Sequence, residues 1–120
     1  MDMYTYVNFA GTCREAFKYY EKHLGGTIGM LMTHADSPGP SRLGPEWKDA
    51  VLHARISIGG AELAGADIPS AQPMRSAYLS LNVDSDADAE RIFAALADGG
   101  EVRDRFGINW MILRQRPSAS

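Results

Sequence analysis

The 120-residue sequence has few of the features that mark common functional classes. One cysteine, Cys13, excludes an internal disulfide and is typical of a reducing cytoplasm. Basic residues number 12 against 15 acidic ones, and the net charge of −3 argues against a nucleic-acid or anionic-membrane partner. No apolar run is long enough to span a bilayer. The segment 1–4 has no basic region followed by an apolar stretch, so we expect no secretory signal and a cytoplasmic protein.

Length and composition fit one globular domain over residues 1–120. Hydrophobic residues make up 45% of the chain and charged residues 22%, which are ordinary values for a globular protein. No phosphate-binding glycine loop, nucleophile elbow or zinc-finger spacing occurs. The function therefore has to be inferred from the pattern of the chain rather than from a standard catalytic motif.

The most informative positive feature is an internal repeat. Asn8 lies in the segment YTYVNF, and Asn82 lies in the segment YLSLNV. The spacing between these two asparagines also relates Tyr4 to Tyr78, Tyr19 to Phe93, and Gly25-Gly26 to Gly99-Gly100. Each copy reads as a strand, a helix and a Gly-Gly stop. The repeat predicts an α+β fold built from two related modules, with a cleft between two half-sheets.

The first module is predicted over about residues 3–68. Residues 4–9 alternate in polarity, as a half-buried strand does. A helix follows, with a capping box at Thr12 and Glu15 and a stop at Gly25-Gly26. Strands are predicted over 27–33, 50–58 and 61–67, the last two joined by a turn at Gly59-Gly60. The proline- and glycine-rich segment 36–49 reads as a surface loop, and the sequence does not assign it a role.

The second module is predicted over about residues 76–116, after a linker at 69–75. A strand begins at Ala77, Asp84-Ser85-Asp86 suit a helix N-terminus, and residues 108–114 read as a strand. An apolar stripe of Ala89, Ile92, Phe93 and Leu96 is expected to be buried. Only 20 residues follow Gly100, so this module is shorter than the first by about one hairpin.

Alternation along the strands separates a dry face under the helices from a polar and aromatic face. Trp110 alternates with Ile108 and Ile112 and is expected in the core, which places Asn109 and Met111 on the other side. Aromatic, arginine and histidine side chains line ligand clefts, but they also anchor dimer surfaces, and the pattern leaves both readings open. The candidate ligand-binding residues are Tyr6, Asn8, His53, Arg55, Ser80, Asn82 and Met111.

Several segments together resemble PhnB-like proteins of the vicinal-oxygen-chelate superfamily, which includes glyoxalase I, bleomycin-resistance proteins and extradiol dioxygenases. The segments are Tyr6-Val7-Asn8-Phe9-Ala10-Gly11, Cys13-Arg14-Glu15-Ala16-Phe17-Lys18-Tyr19-Tyr20, Leu24-Gly25-Gly26, His53-Ala54-Arg55, Ile58-Gly59-Gly60 and Asp104-Arg105-Phe106-Gly107-Ile108-Asn109-Trp110-Met111. The resemblance implies tandem βαβββ modules in a cupped mixed sheet, helices on the outer face, and usually a homodimer. Family members carry more residues between the second Gly-Gly and the Asp-Arg-Phe-Gly motif, so a partner chain is one candidate for completing the second module.

The resemblance also implies where a catalytic metal would be held in the metal-dependent members. Transferred by position, the ligands fall at Tyr4 or Thr5, at Glu62, at Tyr78 and near Met111. Glu62 is the one residue of ligand type in that set, and a divalent ion needs several nitrogen or oxygen donors. We therefore expect no metal cofactor.

Two residues have both a chemical and a structural interpretation. His53, two residues before Arg55, would serve as a general base or bind an anion, or else be a sheet histidine bonded to a neighbouring hydroxyl. Cys13 follows the helix cap, where the helix dipole would lower its thiol pKa, but no basic partner is evident and a small inert residue is the favoured reading. His34 is expected to be exposed beside the loop.

Three functions are compatible with these patterns. The favoured one is a small-organic-molecule binder that lacks its own catalytic metal. The second is a metal-dependent lyase or isomerase whose metal is held by Glu62 and His53 or by residues across a dimer interface, and whether the chain is an enzyme is left open. The third is a degenerate structural dimer module. A shared scaffold does not specify chemistry, so the ligand cannot be named from the sequence.

Overall fold

The structure is a computed structural model that describes residues 1–37, 44–96 and 103–114. The fold is α+β, with two helices, each packed on one side of strands that form a mixed or a parallel sheet. The chain divides into two compact units, residues 1–72 and 73–120. No helix among the described residues is long and apolar enough to cross a membrane.

Unit 1 has the βαβββ order predicted for the first module. Its elements are β1 (Thr5–Phe9), α1 (Cys13–Leu24), β2 (Thr27–Thr33), β3 (Val51–Ile58) and β4 (Ala61–Asp67), with 3₁₀ turns at His34–Asp36 and Pro45–Trp47. The sheet order is β1-β4-β3-β2. β1 runs parallel to β4, whereas β3 is antiparallel to both β4 and β2. The sheet is therefore mixed, as expected.

Helix α1 covers one face of this sheet. Ala16, Phe17 and Tyr20 are fully buried, and Phe17 meets Phe9 of β1 edge to face at 6.0 Å between ring centroids. The helix ends at Gly25, which adopts φ 70° and so takes the left-handed conformation that glycine allows. The stop predicted for this helix is confirmed.

The helix start differs from the predicted capping box. Thr12 makes no side-chain cap hydrogen bond. The cap comes instead from Asp67, at the end of β4, whose Oδ1 accepts the backbone N–H groups of Gly11 at 3.0 Å and Cys13 at 2.9 Å. Its Oδ2 accepts the N–H of Val51 at 2.9 Å. A buried carboxylate thus fixes the start of α1 to the start of β3.

Unit 2 contains β5 (Leu79–Val83), α2 (Asp86–Leu96) and β6 (Trp110–Arg114), and its two strands pair in parallel. Ser85 Oγ accepts the N–H of Asp88 at 3.1 Å, which confirms the predicted polar helix start. Ile92, Leu96 and Trp110 are buried as expected. Phe93 is 40% exposed, so its assignment to the buried stripe was wrong, because it lies one position beyond the face of α2 that meets the strands.

Strand register locates the shortening of the second module. Thr5 pairs with Leu63 in unit 1, and Leu79, the repeat counterpart of Thr5, pairs with Trp110 in unit 2. In unit 1 the chain between the paired strands includes β2 and β3 as well as the helix. In unit 2, among the described residues, only the single bridge at Arg103 lies between α2 and β6. The predicted loss of a hairpin is confirmed, while the predicted stop at Gly99-Gly100 lies outside the described residues.

The turn before β6 is organised by a second buried carboxylate. Asp104 Oδ1 accepts the N–H groups of Phe106 and Ile108 at 2.9 and 3.0 Å, and its Oδ2 accepts the indole N–H of Trp110 at 2.9 Å. Asn109 is also buried and donates to the carbonyl oxygens of Met74 and Ala77. Asn109 therefore bonds to the backbone in a buried position and does not line the polar and aromatic face predicted for it.

Candidate functional site

The sheet of unit 1 has one face away from α1, and the ladder shows which side chains share it. Ala64 of β4 pairs with Tyr6 of β1 on one side and with Arg55 of β3 on the other. Directly paired residues point to the same face, and alternation brings Asn8 and His53 to that face as well. We call this surface the open face of unit 1 and define it by Tyr4, Tyr6, Asn8, His53, Arg55 and Glu62.

Arg55 contacts two other side chains of the open face, Tyr4 and Glu62. Its guanidinium carbon lies 4.4 Å from the centroid of the Tyr4 ring, in cation–π contact. Its Nε lies 3.2 Å from Glu62 Oε1. Nε is buried and has no hydrogen-bond partner among the described residues, so its contact with Glu62 is an ion pair and not a hydrogen bond. The side chain of Arg55 stays 34% exposed, so the rest of the group reaches solvent.

Tyr6 and His53 form the second contact pair. Their ring centroids are 5.8 Å apart, and the Tyr6 hydroxyl lies 3.4 Å from His53 Nδ1, a long and weak hydrogen bond. Burial raises the pKa of the Tyr6 hydroxyl, and the nearby Cys13 and Tyr4 add to the rise. Tyr6 therefore remains a neutral donor at physiological pH. The Tyr6 side chain is 46% exposed and offers both ring and hydroxyl to solvent.

The open face does not fit a metal centre with Glu62 and His53 as ligands. Glu62 pairs with Ser57, four residues along β3 from His53, so their backbones are about 13 Å apart at roughly 3.3 Å per residue. Ligands of one ion lie about 2 Å from it, so these two residues are not placed to share a metal. Glu62 is instead in contact with the cation of Arg55. Among the described residues no group of three or more His, Cys, Asp or Glu side chains is gathered.

The remaining predicted site residues lie in unit 2. Ser80 of β5 pairs directly with Met111 of β6, so they share a face, and Asn82 lies on the same face two residues on. Ser80 and Asn82 are exposed, and Met111 is 40% exposed. Each unit thus gathers its own share of the candidate residues on one exposed face. Binding by any of them stays a prediction.

Sequence reasoning missed two parts of the site. Tyr4 lies before β1 and has no place among the candidate ligand-binding residues, yet its ring contacts the guanidinium of Arg55. Glu62 was weighed only as a metal ligand, and its ion pair with Arg55 was not foreseen. Tyr4 and Arg55 are distant in the sequence, so no local pattern indicates their contact. Glu62 lies across the Gly59-Gly60 turn from Arg55, so alternation along that hairpin could have suggested the ion pair.

Two other residues with a possible chemical role lie away from the open face. His34 is half-buried rather than exposed as expected, and its Nε2 is buried with no hydrogen-bond partner among the described residues. Cys13 is fully buried, and burial, with the nearby Asp67 carboxylate, raises the pKa of its thiol to about 12. The helix start therefore does not activate this thiol, and the inert reading is the one that fits.

Native Cys13 is expected to resist alkylation. At pH 8 a thiol with a pKa of about 12 has a very small thiolate fraction, and the thiolate is the reactive form. Iodoacetamide labelling followed by mass spectrometry should show far slower modification of the folded protein than of the protein unfolded in about 6 M urea. Equal rates in both conditions would contradict the buried placement.

Comparison with known proteins gives the chain several close structural relatives. No family model matches the chain. The crystal structure of protein PA1353 from Pseudomonas aeruginosa is 38% identical, with a TM-score of 0.81 over 96% of this chain and 98% of that one. A PhnB protein from Bacillus cereus is 18% identical, with a TM-score of 0.77 over 96% and 100% of the two chains.

Protein YjdN of Escherichia coli (strain K12) is 26% identical over an alignment of 146 positions, which covers 98% of this chain and 99% of YjdN. The alignment is longer than the 120-residue chain, so YjdN has segments without a counterpart here. More distant structures of glyoxalase-type and fosfomycin-resistance proteins, at 10–16% identity and TM-scores of 0.56–0.62, share the fold alone.

Proposed function

Because the chain belongs to the PhnB-like group of the vicinal-oxygen-chelate superfamily, we propose that it binds a small organic molecule on the open face of unit 1, without a catalytic metal of its own. The observation that carries the proposal is the convergence of Tyr6, His53 and Arg55 on one exposed face of the sheet. These side chains offer aromatic surface, hydrogen-bond donors and a cation within one patch. Such a combination is typical of ligand sites.

The chemistry of the patch agrees with binding rather than turnover. Arg55 is neutralised in part by Glu62, and the described residues gather no group of three or more His, Cys, Asp or Glu side chains. The Tyr6–His53 contact is long, so it orients the two rings only loosely. The face therefore supports recognition of a ligand through contacts that His53 and Arg55 donate.

A thermal-shift screen of small organic compounds tests this proposal. A ligand at 100 times its dissociation constant should stabilise the folded protein by about 2.7 kcal/mol. For a chain of this size the melting temperature should then rise by roughly 10 °C. The Tyr6→Leu variant should lose most of the shift. Tyr19→Leu, on α1 and away from the open face, is the matched control and should keep it.

Absence of a shift with every compound class, or an equal loss in Tyr6→Leu and Tyr19→Leu, would contradict binding at the open face. Both variants should first be shown to melt within a few degrees of the wild type. This control matters because Tyr6 also contacts His53, so a general loss of stability has to be separated from a loss of binding.

We also infer that the protein forms a homodimer, which the resemblance to PhnB-like proteins implies. In unit 2, β6 pairs with β5 along one edge. Among the described residues no strand pairs with its other edge, and the bridge between Arg103 and Asn109 ends just before β6 begins. Unpaired strand edges favour association with another strand. Met111 and Leu113, 40% and 45% exposed, add apolar surface to this strand. Sedimentation equilibrium should therefore give twice the 13.1 kDa chain mass.

A further inference from the structure

We propose that the ligand of the open face is a planar aromatic acid whose carboxylate is bound by the free edge of Arg55. This inference rests on the proposed function, since it specifies the chemistry of the molecule bound there. Three observations support it: the contacts of Arg55 with Tyr4 and Glu62, the exposed aromatic rings beside it, and the charges of Arg55 and Glu62.

The contacts of the Arg55 guanidinium hold it in place and leave one edge free. Its carbon lies over the Tyr4 ring, 4.4 Å from the centroid, and Nε lies 3.2 Å from Glu62 Oε1. Ala64, the residue between Arg55 and Tyr6 in the ladder, is too short to reach the guanidinium tip. Among the described residues no acceptor bonds the two terminal amino groups. A guanidinium held this way is ready to donate two parallel hydrogen bonds to one carboxylate.

The surface beside this free edge suits an aromatic ring. Tyr4 and Tyr6 are 44% and 46% exposed, so each presents part of its ring to a ligand. The Tyr6 and His53 rings lie 5.8 Å apart between centroids with 31° between their planes, so one aromatic ligand is able to contact both. Offset stacking on such rings favours an aromatic ligand over an aliphatic one of the same apolar area. A flat ligand would therefore place its ring on Tyr6 and His53 and its acid group on Arg55.

Removing the charge of Glu62 tests whether the ligand is an anion or a cation. Its carboxylate lies on the Nε side of Arg55, away from the free edge, and partly offsets the positive charge that would attract an acid. Removing this negative charge should strengthen the binding of an anion and weaken the binding of a cation. A residue with a purely structural role would not give this increase, so the Glu62→Gln variant separates recognition of charge from support of the fold.

Benzoate is the probe, and benzamide is its neutral counterpart of the same shape. Titrations followed by ¹H–¹⁵N NMR should shift the backbone amides of residues 4–8 and 53–55 with benzoate. Benzamide should bind at least about tenfold more weakly, since it carries no negative charge and offers the guanidinium one acceptor oxygen instead of two. Cyclohexanecarboxylate, which keeps the acid but lacks the flat ring, should also bind more weakly than benzoate.

Four variants complete the experiment. Arg55→Met and Arg55→Lys should each weaken benzoate binding at least about tenfold, because a lysine cannot replace the planar fork. Glu62→Gln should strengthen it by about two- to fivefold. Arg91→Met, on the exposed side of α2, is the matched control and should have no effect. The amide spectra of all four variants should match that of the folded wild type.

The outcomes separate this inference from the proposed function. If benzamide binds the open face as well as benzoate does, or if Arg55→Met leaves benzoate binding unchanged, the acid-binding role is wrong while ligand binding stands. If Glu62→Gln weakens benzoate binding, the role is wrong as well. If no aromatic compound shifts the amides of the open face, the inference and the proposed binding site both fail.

Discussion

Replacing Asp67 by alanine is expected to lower the free energy of unfolding by about 3–5 kcal/mol, because three backbone N–H groups would lose their acceptor. Those of Cys13 and Val51 are buried, so water does not easily replace the carboxylate. The change should be measured as the shift of the urea midpoint with an unchanged slope. The same experiment should lower the melting temperature by more than 10 °C at roughly 4 °C per kcal/mol.

Two further substitutions make the Asp67 result specific. Asp67→Asn should fall between the wild type and alanine, since an amide keeps one oxygen acceptor but turns an NH₂ group toward one of the three N–H donors. Asp36→Ala removes a fully exposed carboxylate that accepts hydrogen bonds from Thr33, and should change the melting temperature by only a few degrees. If Asp67→Ala were as mild as Asp36→Ala, the cap would not be what holds α1 to the sheet.

Replacing Gly65 by valine is expected to destabilise unit 1 by about 3 kcal/mol through overpacking. A Cβ at this position would lie 3.0 Å from the Phe17 ring and 3.0 Å from the carbonyl oxygen of Val7. Valine adds two further carbons to that contact, and the backbone of β1 cannot move aside as a side chain can. Gly65→Ala should cost less, about 1 kcal/mol, because it adds one carbon only.

Gly60→Val is the matched control for Gly65→Val. A Cβ at Gly60 would meet nothing within 4 Å, and its φ is not in the left-handed region. Both variants add the same side chain to a strand hairpin, so their urea midpoints can be compared directly. Equal destabilisation would show that the cost is a general effect of valine in β4 and its turn, and not the approach of α1 to the sheet.

The fold of unit 1 was accessible from the sequence because its signals are local. Strands were predicted over 27–33, after the Gly25-Gly26 stop, and over 61–67, after the Gly59-Gly60 turn, and the structure has these same bounds. Gly25 and Gly59 marked the helix stop and the hairpin turn through the positive φ that each adopts. The second module followed from the repeat, since the spacing that relates Asn8 to Asn82 also carries β1 onto β5.

The parts that could not be predicted depend on contacts between distant residues. Thr12 had the spacing of a cap, yet the acceptor is Asp67, which lies 54 residues after Cys13. Nothing near Gly65 in the sequence indicates that Phe17 packs against it. The exposure of Phe93 also depends on where α2 meets its strands. Local patterns specify elements, whereas their mutual contacts follow from packing.

The candidate site was predictable in part, because alternation along each strand is local whereas contacts between strands depend on their pairing. Alternation placed Tyr6, His53 and Arg55 on one face before the pairing of β1, β4 and β3 was known. The contacts of Arg55 with Tyr4 and Glu62 required the register of the sheet. A shift of one residue in that register would have turned Arg55 toward α1. The site is therefore a property of strand pairing as much as of residue type.

Amide shift mapping of a bound ligand tests ligand binding at the open face most directly. A compound found by thermal shift should be titrated into ¹⁵N-labelled protein. We predict that the largest shifts fall on residues 4–8 of β1 and 53–57 of β3, with little change along α1. Shifts confined to α1, or spread evenly over the chain, would contradict the assignment of the open face as the binding site.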